Sequence, residues 1–450
     1  MFTTQEIAQV TGGVLCGGNA TVTGVSTDTR TIEGGMLFAA VRGEHFDGSD
    51  FIPVAWEKGA AAALSDRPVG SVDTEMPIVY VGDVRKAQLA LARYYRDRFG
   101  VNLCAVTGSV GKTSTKDMIY AVLSSKYNTL KTEGNFNNDI GLPRTLFGLN
   151  ESIEAAVIEM GMSDRGEISE LSRAAHPDCA VITNIGFCHI EQLKTRENIL
   201  SAKLEILDGE KENAPLILCG DDEYLNTVTS QRVGGRRIVR FGFGESCDVR
   251  AESIVHDGGG ERFTLVYEGR GYPAAVPVVG AHHVTNALAA FAAGIEFGMT
   301  PQEIIPSFMR YEASGMRQKI ERRGGVTVIL DCYNASPTSV SSSLGVLGGM
   351  ETSGRRIAVL GDMLELGELS QRLHSDIAKD IAGNADVRYL YGSEMAACAQ
   401  RLREKGFEVY HSTDKPALTQ MLLDGLRDGD IVLFKGSRGM KMEEIAEKIV

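Results

Sequence analysis

A chain of 450 residues exceeds one ordinary core and suits about three domains of roughly 100 to 200 residues. Its 43% hydrophobic and 23% charged content is that of an ordered globular protein, which excludes disordered and fibrous classes. With 46 basic against 59 acidic residues the formal charge is -13, so neither a nucleic-acid nor an anionic-membrane partner is expected and anionic ligands need locally built sites.

Residues 1–80 read as a small α/β unit, with a helix over 4–10, strands over 36–41 and 77–81, and a helical stretch over 51–59. A helix follows over 83–98, then an apolar run over 101–107, a glycine-rich turn and a helix over 112–125. Further apolar runs at 154–161, 178–186 and 215–220 alternate with helical stretches, which predicts a largely parallel sheet buried on both faces. Residues 262–279 predict a hairpin. A third series begins at 326–331 and continues at 357–360, 387–391 and 431–434. The expected boundaries are 1–80, 81–311 and 312–450.

The amino terminus has neither the basic nor the apolar segment of a secretory leader, and no stretch approaches the roughly 18 apolar residues of a membrane span. A cytoplasmic location is the expectation. The 8 cysteines are far apart with no CxxC pair, which fits reduced, mostly buried thiols.

The strongest motif is Val106-Thr107-Gly108-Ser109-Val110-Gly111-Lys112-Thr113-Ser114, between a predicted strand and a predicted helix. The amides of such a loop point at phosphate oxygens, Lys112 adds charge at the β and γ phosphates, and the Thr113 hydroxyl suits Mg²⁺. The common P-loop has glycine where Val106 stands, so this is a shortened variant; the alternative is a glycine turn that merely opens a helix. Glu159 ends an apolar run and would bring a carboxylate to the same sheet edge, or else be a solvated turn residue. His189 holds a similar place after 180–185, as a ligand or as a hydrogen-bonded structural residue. With Glu191 it imitates the HxE of zinc deaminases, but no PCxxC follows.

The segments 107–114, Thr132-Glu133-Gly134-Asn135-Phe136-Asn137-Asn138, Glu159-Met160-Gly161, 182–189 and Ala202-Lys203-Leu204-Glu205 stand in an order that resembles the Mur ligases, the ATP-dependent amide ligases of peptidoglycan precursor synthesis. The resemblance runs from Asp28-Thr29-Arg30 to Lys435-Gly436-Ser437-Arg438. Asp331-Cys332-Tyr333-Asn334-Ala335-Ser336-Pro337 and 360–367 are most similar to the branch that adds D-alanyl-D-alanine, and the Asp-Asn-Pro-Arg motif of the diamino-acid-adding branch is absent. The implied fold is α/β in three domains: a small α/β N-terminal domain for the UDP-linked peptide, a central P-loop parallel-sheet ATPase domain, and a Rossmann-like C-terminal domain for the incoming dipeptide. The implied partners are ATP, UDP-N-acetylmuramoyl-tripeptide and D-alanyl-D-alanine, and a monomer is expected.

The resemblance implies the roles of individual residues. Gly108, Ser109, Val110, Gly111, Lys112, Thr113 and Ser114 would cradle the nucleotide. Thr113, Glu159, His189 and Lys203 would serve two Mg²⁺ ions, Lys203 as a carbamate formed with CO2. Asn286 fits the adenine-reading asparagine of the family's GxHNxxN element, whereas His283 replaces its first asparagine; the adjacent His282 and His283 are expected to point in different directions on their helix. Arg317 resembles the linker arginine that reaches the phosphates, and Asp331 the interdomain acid near the ribose. Asp28, Thr29 and Arg30 resemble the uridine-binding Asp-Ser-Arg, with Asp47-Gly48-Ser49 departing at Ser49 from the following Asp-Gly-His. Asn137, Asn138, Asn334, Ala335, Ser336, Lys435 and Ser437 complete the implied substrate contacts.

Other readings remain open at this point. A folylpolyglutamate synthetase or the diamino-acid-adding sibling would differ in acceptor. A P-loop kinase or regulatory ATPase would make no amide, and a uridine-nucleotide binding protein would turn over no ATP.

Overall fold

The computed structural model describes residues 1–72 and 74–449. The first unit is a five-stranded sheet in the order Val14–Cys16, Ile78–Tyr80, Ala62–Ser65, Leu37–Ala39, Val25–Ser26, antiparallel only between the first two. Beside it, helix Thr4–Thr11 starts at a capping box, in which Thr3 and Glu6 satisfy each other's backbone amides, and stops at Gly12 with φ 66°. Strands Val14–Cys16, Val25–Ser26 and Ala62–Ser65 were not expected from the sequence. Two are too short for a period-2 signal, and all four residues of Ala62–Ser65 are buried, which removes the alternation.

Helix Val84–Arg96 begins where the Asp83 carboxylate accepts the amides of Arg85 and Lys86. It buries Val84, Ala87 and Leu91 in the N-terminal core and Leu89 and Ala92 in the central core, so one amphipathic element fastens two sheets.

The central sheet has nine strands, in the order Arg270–Val276, Glu261–Tyr267, Val249–His256, Ile238–Gly242, Leu216–Cys219, Cys179–Ile182, Asn102–Thr107, Ala155–Glu159, Thr129–Lys131. All pairs are parallel except the two that join the first three strands, where the expected hairpin lies. Continuous burial along Ala155–Glu159 and Cys179–Ile182 is that of strands covered on both faces. Because these two flank Asn102–Thr107 in parallel, the carboxyl ends of all three strands meet at one edge. Helix Ala281–Glu296 packs against helix Lys112–Leu123, which follows the glycine-rich turn.

The third sheet has six strands in the order Lys319–Arg323, Val326–Asp331, Ile431–Lys435, Arg356–Gly361, Val387–Tyr391, Tyr410–Ser412, with an antiparallel first pair and the rest parallel. Its register sets Asp331 directly opposite Lys435 at the carboxyl edge. Strand Lys319–Arg323 escaped the sequence reading because four of its five residues are charged. All 8 cysteines are free and six of them are buried. No helix among the described residues is long and apolar enough to cross a membrane.

Candidate active site

The glycine-rich turn is a braced loop. Val106 lies inside the strand, paired with both Glu159 and Val181, so the position where other P-loops carry glycine needs no special backbone freedom here. Gly108 does: an added Cβ would sit 1.9 Å from Thr183 Oγ1. Gly111, at φ 82°, opens helix Lys112–Leu123. Thr183 Oγ1 and Asn184 Nδ2 donate to the Val110 carbonyl at 2.6 and 2.8 Å, and Asn184 Oδ1 accepts the Val110 amide at 2.9 Å. Lys112 Nζ folds back to the Gly108 carbonyl at 2.9 Å. The Ser109 hydroxyl is buried and has no partner among the described residues. Sequence reasoning assigned Thr183 and Asn184 no role; in the structure they fix the loop by holding both backbone groups of Val110.

Glu159 is only 1% exposed, and both carboxylate oxygens are engaged. Thr113 Oγ1 donates to Oε2 at 2.7 Å and Asn137 Nδ2 to Oε1 at 2.8 Å. The Glu159 amide donates to Thr132 Oγ1 at 3.0 Å, which fixes the strand end. Asn138, expected beside Asn137 as a substrate contact, is exposed, and its Oδ1 accepts the Ile140 and Gly141 amides at 3.3 and 2.9 Å just before the short helix Gly141–Leu146.

His189 and Lys203 both lie within electrostatic reach of Lys112. Burial, then the charges of Lys112 and Lys203, lower the His189 pKa to about 4. Glu365 Oε2, 3.0 Å from His189 Nδ1, is on a side chain 53% exposed and does not offset them. His189 stands at φ 61°, a left-handed conformation that costs a histidine about 1 kcal/mol or more. Lys203 is 2% exposed, and burial followed by the Lys112 charge pushes its pKa well below the ordinary lysine value. Among the described residues no hydrogen bond or ion pair holds its amine, and no three His, Cys, Asp or Glu side chains converge as a metal cage.

Asn286 lies against the P-loop helix, where its Oδ1 accepts from Thr115 Oγ1 at 3.0 Å. Ser114 lies beside Tyr311, whose phenol burial pushes up to about 12. His282 and His283 do not diverge as expected. Their ring centroids are 4.2 Å apart, and both Nε2 atoms lie 2.9 Å from Gln318 Oε1. They occupy the first turn of helix Ala281–Glu296, after Gly280 at φ 120°, where a shared acceptor from the linker draws both rings to one side.

The Arg317 guanidinium lies 3.9 Å from the centroid of the Tyr333 ring. Asp331 and Lys435, expected on different ligands, form an ion pair at 2.6 Å, and Ser343 Oγ also donates to Asp331 at 2.5 Å. Burial alone would raise the Asp331 pKa; the Lys435 charge and the two hydrogen bonds hold it below the usual value. Lys435 Nζ also reaches the Asn334 carbonyl at 3.1 Å. The Ala335 amide donates to Asn334 Oδ1 at 2.8 Å, and Ser336 caps helix Pro337–Gly349. Ser437 Oγ accepts the Leu364 amide at 2.8 Å, so it braces the loop that carries Glu365.

In the N-terminal unit the Asp28 carboxyl, hydrogen-bonded by Arg30, is held down to about 2 on the surface. Lys58 Nζ donates to the Thr29 carbonyl at 2.7 Å. Ser49, which departs from the family's histidine, is buried with its Oγ 2.9 Å from Ser65 Oγ and faces the interior.

A braced P-loop beside a buried strand-end carboxylate, with a third sheet docked across the same edge, defines a P-loop nucleotide-using enzyme of three units. Models of the Mur ligase family catalytic domain, the Mur ligase middle domain and the Mur ligase glutamate ligase domain match residues 21–96, 106–294 and 316–438. The chain is 40% identical over 455 residues to the UDP-N-acetylmuramoyl-tripeptide--D-alanyl-D-alanine ligase of Bacillus subtilis (strain 168), covering 100% of this chain and 98% of that protein. With the ligase of the same name from Escherichia coli (strain K12) it shares 33% identity over 99% of this chain and 98% of that protein. Among solved structures, MurF from Acinetobacter baumannii matches 100% of this chain and 98% of its own at a TM-score of 0.91 and 29% identity. MurF from Thermotoga maritima in complex with ADP matches 94% of this chain and 96% of its own at 0.83 and 29%. The chain belongs to the Mur ligase family.

Proposed function

We propose that the enzyme joins the terminal carboxylate of UDP-N-acetylmuramoyl-tripeptide to the amine of D-alanyl-D-alanine. ATP becomes ADP and phosphate, and the product is UDP-N-acetylmuramoyl-pentapeptide for peptidoglycan. The observation that carries this reading is 40% identity along the entire chain to a ligase named for that reaction. The proposed division of labour gives residues 1–80 the UDP-linked peptide, 81–311 the nucleotide and 312–450 the dipeptide.

A carboxylate is a poor acyl donor, because its leaving group would be oxide. In the proposed course a carboxylate oxygen attacks the γ-phosphorus, the bond to ADP breaks, and an acyl phosphate forms. The dipeptide amine then attacks the acyl carbon, phosphate leaves with the electron pair of the C–O bond, and the nitrogen loses a proton to solvent or the departing phosphate. Lys112 and the amides at the start of helix Lys112–Leu123 would face the phosphates and balance their charge, the main demand of phosphoryl transfer, while the Ser109 and Val110 amides are spent on bracing the loop against Asn184. No serine or cysteine nucleophile is needed.

The donors around Glu159 suit Mg²⁺: a buried carboxylate and the Thr113 hydroxyl are hard oxygen groups, and so small a protein set fits an ion that keeps waters and takes substrate phosphates. When bound, the metal supplies positive charge to the phosphate oxygens. Thr113 and Glu159 would hold one ion, and Glu159, His189 and Lys203 the second. The lowered pKa of His189 favours a neutral ring with a free nitrogen lone pair. Lys203 suits modification by CO2 on two observations: burial lowers its pKa and so favours the neutral, nucleophilic amine, and a carbamate would set an anion beside Lys112 where an ammonium would be repelled. A cytoplasmic monomer, without nucleic-acid or membrane partners, belongs to the same proposal.

Acceptor profiling tests the reading. With UDP-N-acetylmuramoyl-tripeptide and ATP, D-alanyl-D-alanine should be consumed, whereas glutamate should not. With the dipeptide-stage substrate, diaminopimelate and lysine should also fail. Preferred use of any of these would reassign the enzyme to a sibling ligase.

A further inference from the structure

Gln318 ends the linker that joins the central sheet to the C-terminal one, immediately before strand Lys319–Arg323. Its Nε2 donates to the Val279 carbonyl at 2.7 Å. A backbone carbonyl can only accept, so the amide orientation is fixed: nitrogen toward Val279, oxygen toward the two histidines. An amide oxygen also only accepts, so His282 and His283 must both carry a proton on Nε2, and together they use both lone pairs of Oε1. The His283 Nδ1 is then a buried acceptor without a partner, a cost that this arrangement accepts. Burial also lowers the His283 pKa to about 3, consistent with a neutral ring. Gln318 further stands at φ 51°, which a glutamine adopts only where its surroundings impose it.

This clamp ties the central unit to the first strand of the C-terminal one. The histidines and Val279 belong to the central unit, while the residue next to Gln318, Arg317, lies on the Tyr333 ring of the C-terminal unit. At the same interface an added Cβ at Gly280 would come within 2.9 Å of Val346 in helix Pro337–Gly349. Asp331 is close enough to influence the charge of His282 and His283. A shift of Gln318 therefore moves Arg317 and the Asp331–Lys435 pair relative to the P-loop.

We propose that Gln318 is a positioning residue for the ligation, and that His282 and His283 hold it so that the C-terminal sheet stands over the nucleotide loop in the reactive arrangement. This rests on the ligase reading above.

The test compares Gln318→Met, which keeps length but loses all three hydrogen bonds, with the unaltered enzyme and with Gln318→Asn, which keeps the amide one methylene short. Active unaltered enzyme secures the ligase reading independently of the variants. Gln318→Met should lower kcat on the order of 10- to 100-fold, the size expected of a small misplacement, with the Kd for UDP-N-acetylmuramoyl-tripeptide unchanged and the variant still folded at the assay temperature, although the unpartnered histidine N–H groups lower its Tm. Small-angle scattering with both nucleotide and tripeptide bound should give a larger radius of gyration for the variant. His283→Leu should cost as much alone as it does together with Gln318→Met. Unaltered kcat and scattering in folded Gln318→Met, or losses that multiply in the double variant, would overturn the proposal. If Gln318→Met does not fold, Gln318→Asn carries the same comparison.

Discussion

Replacing Lys112 by alanine is expected to lower kcat for the ligation on the order of 10²- to 10³-fold, the range for removal of one group that stabilises transition-state charge. Lys112 Nζ rests on the Gly108 carbonyl, so in the structure it is already held over the loop and needs no large movement to meet a phosphate. It carries no buried partner whose loss would unfold the chain. Binding of UDP-N-acetylmuramoyl-tripeptide, assigned to a different unit, should change little. Separate measurement of kcat and of tripeptide Kd checks this. Equal losses in both would mean that the variant is misfolded rather than catalytically impaired.

Lys203→Ala should lower kcat by about 10²-fold or more, because the proposal makes it a metal ligand and even the partners that merely orient ligands are worth about 10- to 100-fold. Small carboxylic acids such as acetate or formate should recover part of it. The side chain fills a buried space beside the Lys112 charge, so its removal leaves both room and an electrostatic reason for a small anion to enter. Activity should then rise with acid concentration in Lys203→Ala and not in the unaltered enzyme. An active Lys203→Ala variant would remove the carbamate assignment, while an inactive one with no response to any small acid would favour a purely structural amine.

The P-loop was legible because its chemistry is local: a strand, two glycines in special conformations and a helix within nine consecutive residues. Glu159 was legible for a related reason, since a carboxylate that ends a continuous apolar run must emerge at the sheet edge. Lys203 was not legible from its own surroundings, where a lysine on a helix reads as solvated; only the motif around it marked it, and the structure adds the burial. The pairing of Asp331 with Lys435 was hidden because 104 residues separate partners that only strand register brings opposite each other. The convergence of His282 and His283 was hidden because helical geometry says nothing about a linker residue 35 positions downstream that offers both rings one acceptor. Short strands such as Val25–Ser26 and the charged Lys319–Arg323 lack any periodic apolar signal, and sheet neighbours alone define them.

The central claim is that phosphate release from ATP is tied to amide formation with D-alanyl-D-alanine. The most direct measurement follows phosphate release with Mg²⁺, ATP and UDP-N-acetylmuramoyl-tripeptide, with and without the dipeptide, and weighs the products by mass spectrometry. Release that depends on the dipeptide and yields one UDP-N-acetylmuramoyl-pentapeptide per phosphate is the expected result. Release by a folded, active enzyme that ignores the dipeptide, or that leaves the tripeptide mass unchanged, would contradict the account.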